Sequence, residues 1–243
     1  MPMLALEQVD LFYGDSHVLH GVSLTVERGQ VVALLGRNGV GKSTTLQAIL
    51  GIPVPRHGRI EFNGKPIAGH PIYSIIKSGI AWVPQGHRAF PSLTVRENIM
   101  LASVHGKQGR WTDNAVLDLF PSLRARLDAA SGTLSGGEQQ MLAIARALIQ
   151  NPDLILMDEP SEGLSPKLVD EVGEIIKHLN EAGCSILLVE QNLPFARRLA
   201  HRICVMNKGT IVCEGVPEDF DRDPAFRRYL SVNTSVDQAI GVN

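Results

Sequence analysis

The sequence predicts an α/β fold with a parallel sheet at its centre, an antiparallel β region near the start and a helical segment inserted into the core. Three observations predict it. Val31-Val32-Ala33-Leu34-Leu35 is continuously apolar, as a strand buried on both faces should be. Short apolar runs return at Leu154 to Met157, Ile186 to Val189 and Ile203 to Met206, separated by helical stretches, which is the pattern of a parallel sheet. Between about Gly86 and Gln150 the strand signals vanish and helical periodicity takes over.

In chain order, Leu4 to Val9 and Val22 to Val26 read as alternating strands joined by a turn-rich segment containing Tyr13-Gly14-Asp15. After the apolar strand, Ser43 to Leu50 reads as a helix stopped by Gly51 and Pro53. The helical subdomain occupies about 86–150 within one unit of 1–235, and 236–243 reads as a weakly patterned tail. There is no internal repeat and no low-complexity tract.

A chain of 243 residues is long enough for one α/β unit with a large core. Its net charge of -2 supplies no basic field for a nucleic-acid backbone, so nucleic acid is not expected as a partner. Cys184, Cys204 and Cys213 each lie in an apolar run without metal-ligand spacing, and are expected to be buried, reduced thiols. No apolar run approaches the roughly 18 residues needed to span a bilayer. Residues 1–7 also lack a basic segment followed by an apolar one. The chain is therefore expected to be soluble by itself, which leaves room for a membrane partner. Trp82 and Trp111 read as packing residues, with Trp82 the better candidate to touch such a partner. Arg197, Arg198, His201 and Arg202 read as a solvated helix face, and His57, His70, His87 and His105 as surface residues.

Gly36-Arg37-Asn38-Gly39-Val40-Gly41-Lys42-Ser43 matches G-x-x-x-x-G-K-[ST] between a buried strand and a helix start. The glycines let the backbone form an anion-binding nest, and the helix N-terminus adds partial positive charge. Lys42 can reach the β- and γ-phosphates, while Ser43, followed by Thr44, offers a hydroxyl to Mg²⁺. Leu154-Ile155-Leu156-Met157-Asp158-Glu159-Pro160 ends a second apolar strand in two carboxylates. Asp158 is expected to hold Mg²⁺ through water and Glu159 to act as general base toward an attacking water. A second anion-binding device, Leu134-Ser135-Gly136-Gly137-Glu138, opens the helix that runs to Ile149.

At these residues the chain resembles the nucleotide-binding subunits of ATP-binding cassette (ABC) transporters, over nearly its whole length. The resemblance implies a P-loop NTPase core, ATP and Mg²⁺ as ligands, and ATP hydrolysis coupled to transport. It also implies a head-to-tail dimer in which Ser135, Gly136 and Gly137 of one subunit close over ATP held by another. By the same resemblance Tyr13 stacks on adenine, and Gln85 reaches Mg²⁺ and the attacking water. Ser161 to Ser165 faces the partner subunit, and Gln191 occupies the switch position where most relatives have histidine.

Ser161-Glu162-Gly163-Leu164-Ser165-Pro166, Glu190-Gln191-Asn192 and Phe90 to Asn98 are similar to the branched-chain amino acid importer ATPases. Urea and short-amide importers share much of this pattern and remain an alternative. A soluble cassette ATPase of DNA repair or ribosome function is the reading from another class. An importer implies permease subunits, a second ATPase subunit, identical or different, and indirectly a periplasmic binding protein. It places the chain at the cytoplasmic face of the inner membrane.

Overall fold

The computed structural model describes residues 1–86, 89–104, 106–222 and 226. His87, His105 and the expected tail, 236–243, lie outside the described residues. Two sheets form the framework. In the first, β1 (Leu4–Tyr13) and β2 (Ser16–Val26) make a hairpin around Gly14-Asp15. β1 also pairs antiparallel with β4 (His57–Phe62), which pairs with β5 (Lys65–Pro66), giving the order β2-β1-β4-β5. Half of this sheet therefore arrives after the phosphate segment. β1 and β2 also run beyond the expected Val9 and start before Val22, because Leu11 and Leu19 are fully buried. Register shifts between Leu6 and Phe12 interrupt the alternation that would have revealed this.

The second sheet contains β3 (Val31–Leu35), β6 (Ile80–Val83), β7 (Leu154–Asp158), β8 (Ser185–Glu190), β9 (Arg202–Asn207) and β10 (Thr210–Gly215). Its order is β10-β9-β3-β8-β7-β6, and every neighbouring pair is parallel except β9 with β10. The apolar run of β3 has a simple cause. Val32 and Leu34 pack toward the antiparallel sheet, while Val31, Ala33 and Leu35 join the clusters on the opposite side. β10 is an edge strand, half-buried along most of its length, and its apolar run is only Ile211-Val212-Cys213.

The helices are α1 (Lys42–Ile49), α2 (Ile72–Gly79), α3 (Val95–Ser103), α4 (Asp113–Leu119), α5 (Pro121–Arg124), α6 (Gly136–Leu148), α7 (Pro166–Glu181) and α8 (Leu193–Leu199). α3 to α6 fill the stretch between β6 and β7. Thr94 opens α3 with a reciprocal cap, its side chain accepting from the Glu97 N–H while Glu97 accepts from the Thr94 N–H. α6 packs on both α3 and β6, so it ties the helical segment to the core sheet. No helix among the described residues is long and apolar enough to cross a membrane.

Three minor expectations change. Arg198 and Arg202 do not belong to a bare solvated face: Arg198 pairs with Asp170 at 2.6 Å, and Arg202 donates to Thr25 and lies 3.5 Å from Glu214. His201 accepts the Val31 N–H through Nδ1 at 3.0 Å. Cys184 and Cys204 are buried free thiols, but Cys213 on the edge strand is half-buried.

Candidate nucleotide site

The carboxyl ends of β3 and β7 open toward the N-terminus of α1, the crevice in which ligands of open α/β sheets bind. Close backbone approach explains the glycines. A Cβ on Gly36 would lie 2.5 Å from the Met206 carbonyl oxygen of β9, and Gly41 has φ 109. Any larger residue at Gly41 would be strained and would press on Leu19. α1 begins at Lys42 with no side-chain cap, so its first N–H groups remain available to an anion. Arg37, Asn38 and Gly39 are exposed at the loop tip, Val40 is half-buried, and Thr44 is half-buried in the first turn.

Lys42 is 4% exposed and makes three contacts. Its Nζ donates to the carbonyls of Gly36 at 3.0 Å and Arg37 at 3.1 Å, and pairs with Glu159 Oε1 at 3.0 Å. The expected general base and the expected phosphate-binding lysine are thus already a buried ion pair. Glu159 follows β7 at φ 48, a left-handed conformation unusual for a side chain of this size. Its N–H donates to the Val189 carbonyl at 2.9 Å, which fixes the turn against the end of β8.

Beside this pair, Ser43 Oγ donates to Asp158 Oδ1 at 2.9 Å. Burial pushes the Asp158 carboxyl above its ordinary range. The Ser43 hydroxyl counters this, Glu159 adds to it, and Lys42 opposes it again. A hydroxyl and a carboxylate meeting at one point are the hard oxygen donors that suit Mg²⁺. No group of three His, Cys, Asp or Glu side chains that could hold a metal ion exists among the described residues. Two protein ligands completed by water and phosphate oxygens match the way Mg²⁺ is commonly held with nucleotides.

The remaining expected residues surround this centre at different distances. Tyr13 is 46% exposed, and its hydroxyl donates to Gln47 Oε1 of α1 at 2.7 Å, leaving an aromatic ring at the rim. Gln85 does not join Ser43 and Asp158: its amide donates to Glu162 Oε2 at 2.7 Å, in the loop after Glu159. Gln191 is exposed at the end of β8, next to the turn that carries Glu159.

Ser135 caps α6, its Oγ accepting from the Glu138 N–H at 3.3 Å while Glu138 accepts from the Ser135 N–H at 2.8 Å. Burial acts against the Glu138 anion. The Ser135 N–H and hydroxyl, with Arg126 at 2.9 Å, outweigh burial and lower its pKa. The two glycines differ: Gly136 is exposed with open space around it, whereas a Cβ on Gly137 would overlap Leu168 of α7. Gly136 leaves room above the helix end and Gly137 lets α6 approach α7.

Sequence reasoning gave Gln47 no role, and used Glu162 and Glu190 only as marks of the subfamily, without a place in the site. Glu190 is 2% exposed at the end of β8. A carboxylate closing an apolar strand, the signal that exposed Asp158, would have found it. Gln47, half-buried in α1, and the exposed Glu162 carry no such signal.

Comparison with known proteins adds a family match, two relatives and two solved structures. The family model described as ABC transporter matches residues 19–162. The high-affinity branched-chain amino acid transport ATP-binding protein BraG of Pseudomonas aeruginosa is 43% identical over 218 residues, covering 86% of this chain and 91% of that protein. The probable branched-chain amino acid transport ATP-binding protein LivF of Archaeoglobus fulgidus is 34% identical over 229 residues, covering 93% and 97%. Among solved structures, a nucleotide-free ATP-binding cassette from an ABC transporter superposes with TM-score 0.82 at 27% identity, covering 100% of both chains. A dimeric post-hydrolysis cassette bound to ADP and Pi gives 0.78 at 27% identity, covering 88% of this chain and 99% of that one.

Proposed function

The chain belongs to the ABC transporter family as an ATP-hydrolysing subunit, and from that premise we propose that it powers import of branched-chain amino acids through partner membrane permeases. The ATPase reading is carried by one observation: Lys42 and Glu159, with Ser43 and Asp158, converge where β3 and β7 meet the N-terminus of α1. Kinship to BraG and LivF, both named for branched-chain amino acid transport, supports the solute class.

In the proposed mechanism, ATP binding transfers Lys42 from Glu159 to the β- and γ-phosphates, while the N–H groups of 36–43 cradle them. Ser43 and Asp158 would hold Mg²⁺, which would neutralise charge building on the phosphate oxygens. Release from Lys42 frees Glu159 to accept a proton from the attacking water. Gln191 donates a neutral hydrogen bond to the γ-phosphate, in place of the chargeable contact a histidine supplies. Tyr13 stacks on adenine. Gln85, now bonded to Glu162, would have to leave that partner to serve as a further ligand of Mg²⁺ and to orient water, and such a movement would couple the centre to the helical subdomain at 86–150. Exposure of Ser135 and Gly136 supports the view that this helix end completes the ATP site of a second, head-to-tail subunit.

A groove of about 480 Å³ lies between the core and the helical segment, lined in part by Trp82, Phe90, Leu101, Val104 and Arg146. Phe90, Leu101, Val104 and nearby Met100 are 46%, 48%, 66% and 60% exposed, a concentration of apolar surface that suits a permease helix at the cytoplasmic face of the membrane. The test is to identify the permease and binding protein that co-purify with the chain, then measure ATP-driven uptake of leucine and urea. Leucine uptake abolished by Lys42→Ala is expected. Urea uptake without leucine uptake would reassign the solute, and co-sedimentation with ribosomes or DNA in place of a permease would overturn the transport reading.

A further inference from the structure

Glu190 holds a position where the strand by itself needs no charge. It ends β8, whose six residues are all buried. Taking a carboxylate out of water is costly unless other donors replace the solvent. Here three backbone N–H groups do so, and they come from two different loops. Oε1 accepts the N–H of Ser161 at 3.0 Å, in the loop that follows Glu159. Oε2 accepts the N–H of Gln191 at 3.1 Å and of Asn192 at 3.2 Å. One residue earlier the two strand ends are already joined through Glu159 N–H and the Val189 carbonyl. On the far side, Asn192 caps α8 by accepting the Phe195 N–H at 3.1 Å. An apolar residue would fill the space equally well but would leave Ser161, Gln191 and Asn192 with unanswered donors.

We propose that Glu190 is a positioning residue that makes the partner-facing loop, Ser161 to Ser165, and the Gln191 switch move as one body. A subunit docking on that loop thereby sets where Gln191 stands relative to the γ-phosphate. The proposal rests on the reading of Gln191 as the switch. Glu190 touches neither substrate nor metal in this scheme and acts only through the backbone of its neighbours. The chemistry suits a bracket: a carboxylate is the one common side chain that presents only acceptors, on two oxygens spaced to face two loops at once.

Glu190→Gln is the sharp test because it preserves shape. Whichever way the amide is turned, its NH₂ faces at least one backbone N–H, donor against donor. In the full transporter complex, kcat is expected to fall about tenfold with KM for ATP within about twofold, the mark of an interaction lost in the transition state. In a Gln191→Ala background the same substitution should cost less than about twofold, since its route to the chemistry is gone. As a measurement independent of any variant's folding, the amides of Ser161, Gln191 and Asn192 in the unsubstituted chain should exchange hydrogen at one common rate and slow together with ATP. If Gln191→Ala alone leaves kcat unchanged, the switch reading fails and this proposal falls with it. If Gln191→Ala slows turnover but Glu190→Gln does not, or the two losses multiply, or the three amides exchange independently, the bracket alone is overturned.

Discussion

Replacing Glu159 by glutamine separates the two tasks proposed for its carboxylate. The side chain loses its proton-accepting charge, and Lys42 loses its buried partner at 3.0 Å. At an effective dielectric near 20, two unit charges at that distance attract by about 5 kcal/mol. Desolvation of two ions that are only 4% and 6% exposed costs several kcal/mol each and offsets most of that gain. A net value on the order of 1 kcal/mol is what ATP must overcome to claim Lys42. Glu159→Gln should therefore tighten ATP binding by no more than about tenfold. Loss of the general base should slow turnover by about 10² to 10⁴, or about 3–5 kcal/mol of barrier. Phosphate release under saturating Mg²⁺-ATP measures the second effect, and titration with a fluorescent ATP analogue measures the first. Turnover within about twofold of the unsubstituted protein would refute the role of Glu159. ATP binding weakened tenfold or more would refute the competition between Glu159 and phosphate for Lys42.

Other substitutions probe neighbouring steps. Gln191→Ala should lower turnover about tenfold while ATP affinity stays within about twofold, read by the same two assays; unchanged turnover would reduce Gln191 to a strand end. Gly36→Ala should drive a methyl into the Met206 carbonyl, cost about 1–3 kcal/mol and lower Tm by several degrees, with ATP binding lost beyond what stability explains. Asp158→Asn should raise Tm measured without nucleotide while abolishing Mg²⁺-dependent hydrolysis. The sign follows from burial: the folded Asp158 carboxyl binds its proton more tightly than the unfolded one, so its ionisation costs stability as pH rises from about 3.8 through the folded value. The Tm gain should shrink as pH is lowered toward 4, and a gain independent of pH would contradict that origin.

The parallel strands were legible because a strand covered on both faces has no polar position to hide it, and Val31–Leu35 and Leu154–Asp158 appear within a residue of where they were expected. The far halves of β1 and β2 were not, since register shifts erase alternation, and of β10 only the stretch around Cys213 showed. α2 also left no clear signal: only Ile75 and Gly79 of its eight residues are buried. The same division holds in the site. Gly36 to Ser43 and Asp158-Glu159 are local runs whose spacing makes them readable as candidates, and the fold brings them together. The bonds of Gln85 to Glu162, Tyr13 to Gln47 and Glu190 to Ser161 span 77, 34 and 29 residues. Such pairs are made by the fold, so periodicity within one segment cannot announce them.

In the proposed assembly, residues 36–43 of one subunit and Ser135 to Gly137 of another enclose the same ATP. An ATP analogue carrying a photoreactive group on the γ-phosphate, bound to the Glu159→Gln complex and mapped by peptide sequencing after irradiation, tests it most directly. Labelling of both segments is predicted, with label at 135–137 lost when the subunits are diluted apart and label at 36–43 retained. Label confined to 36–43 at every protein concentration would contradict it.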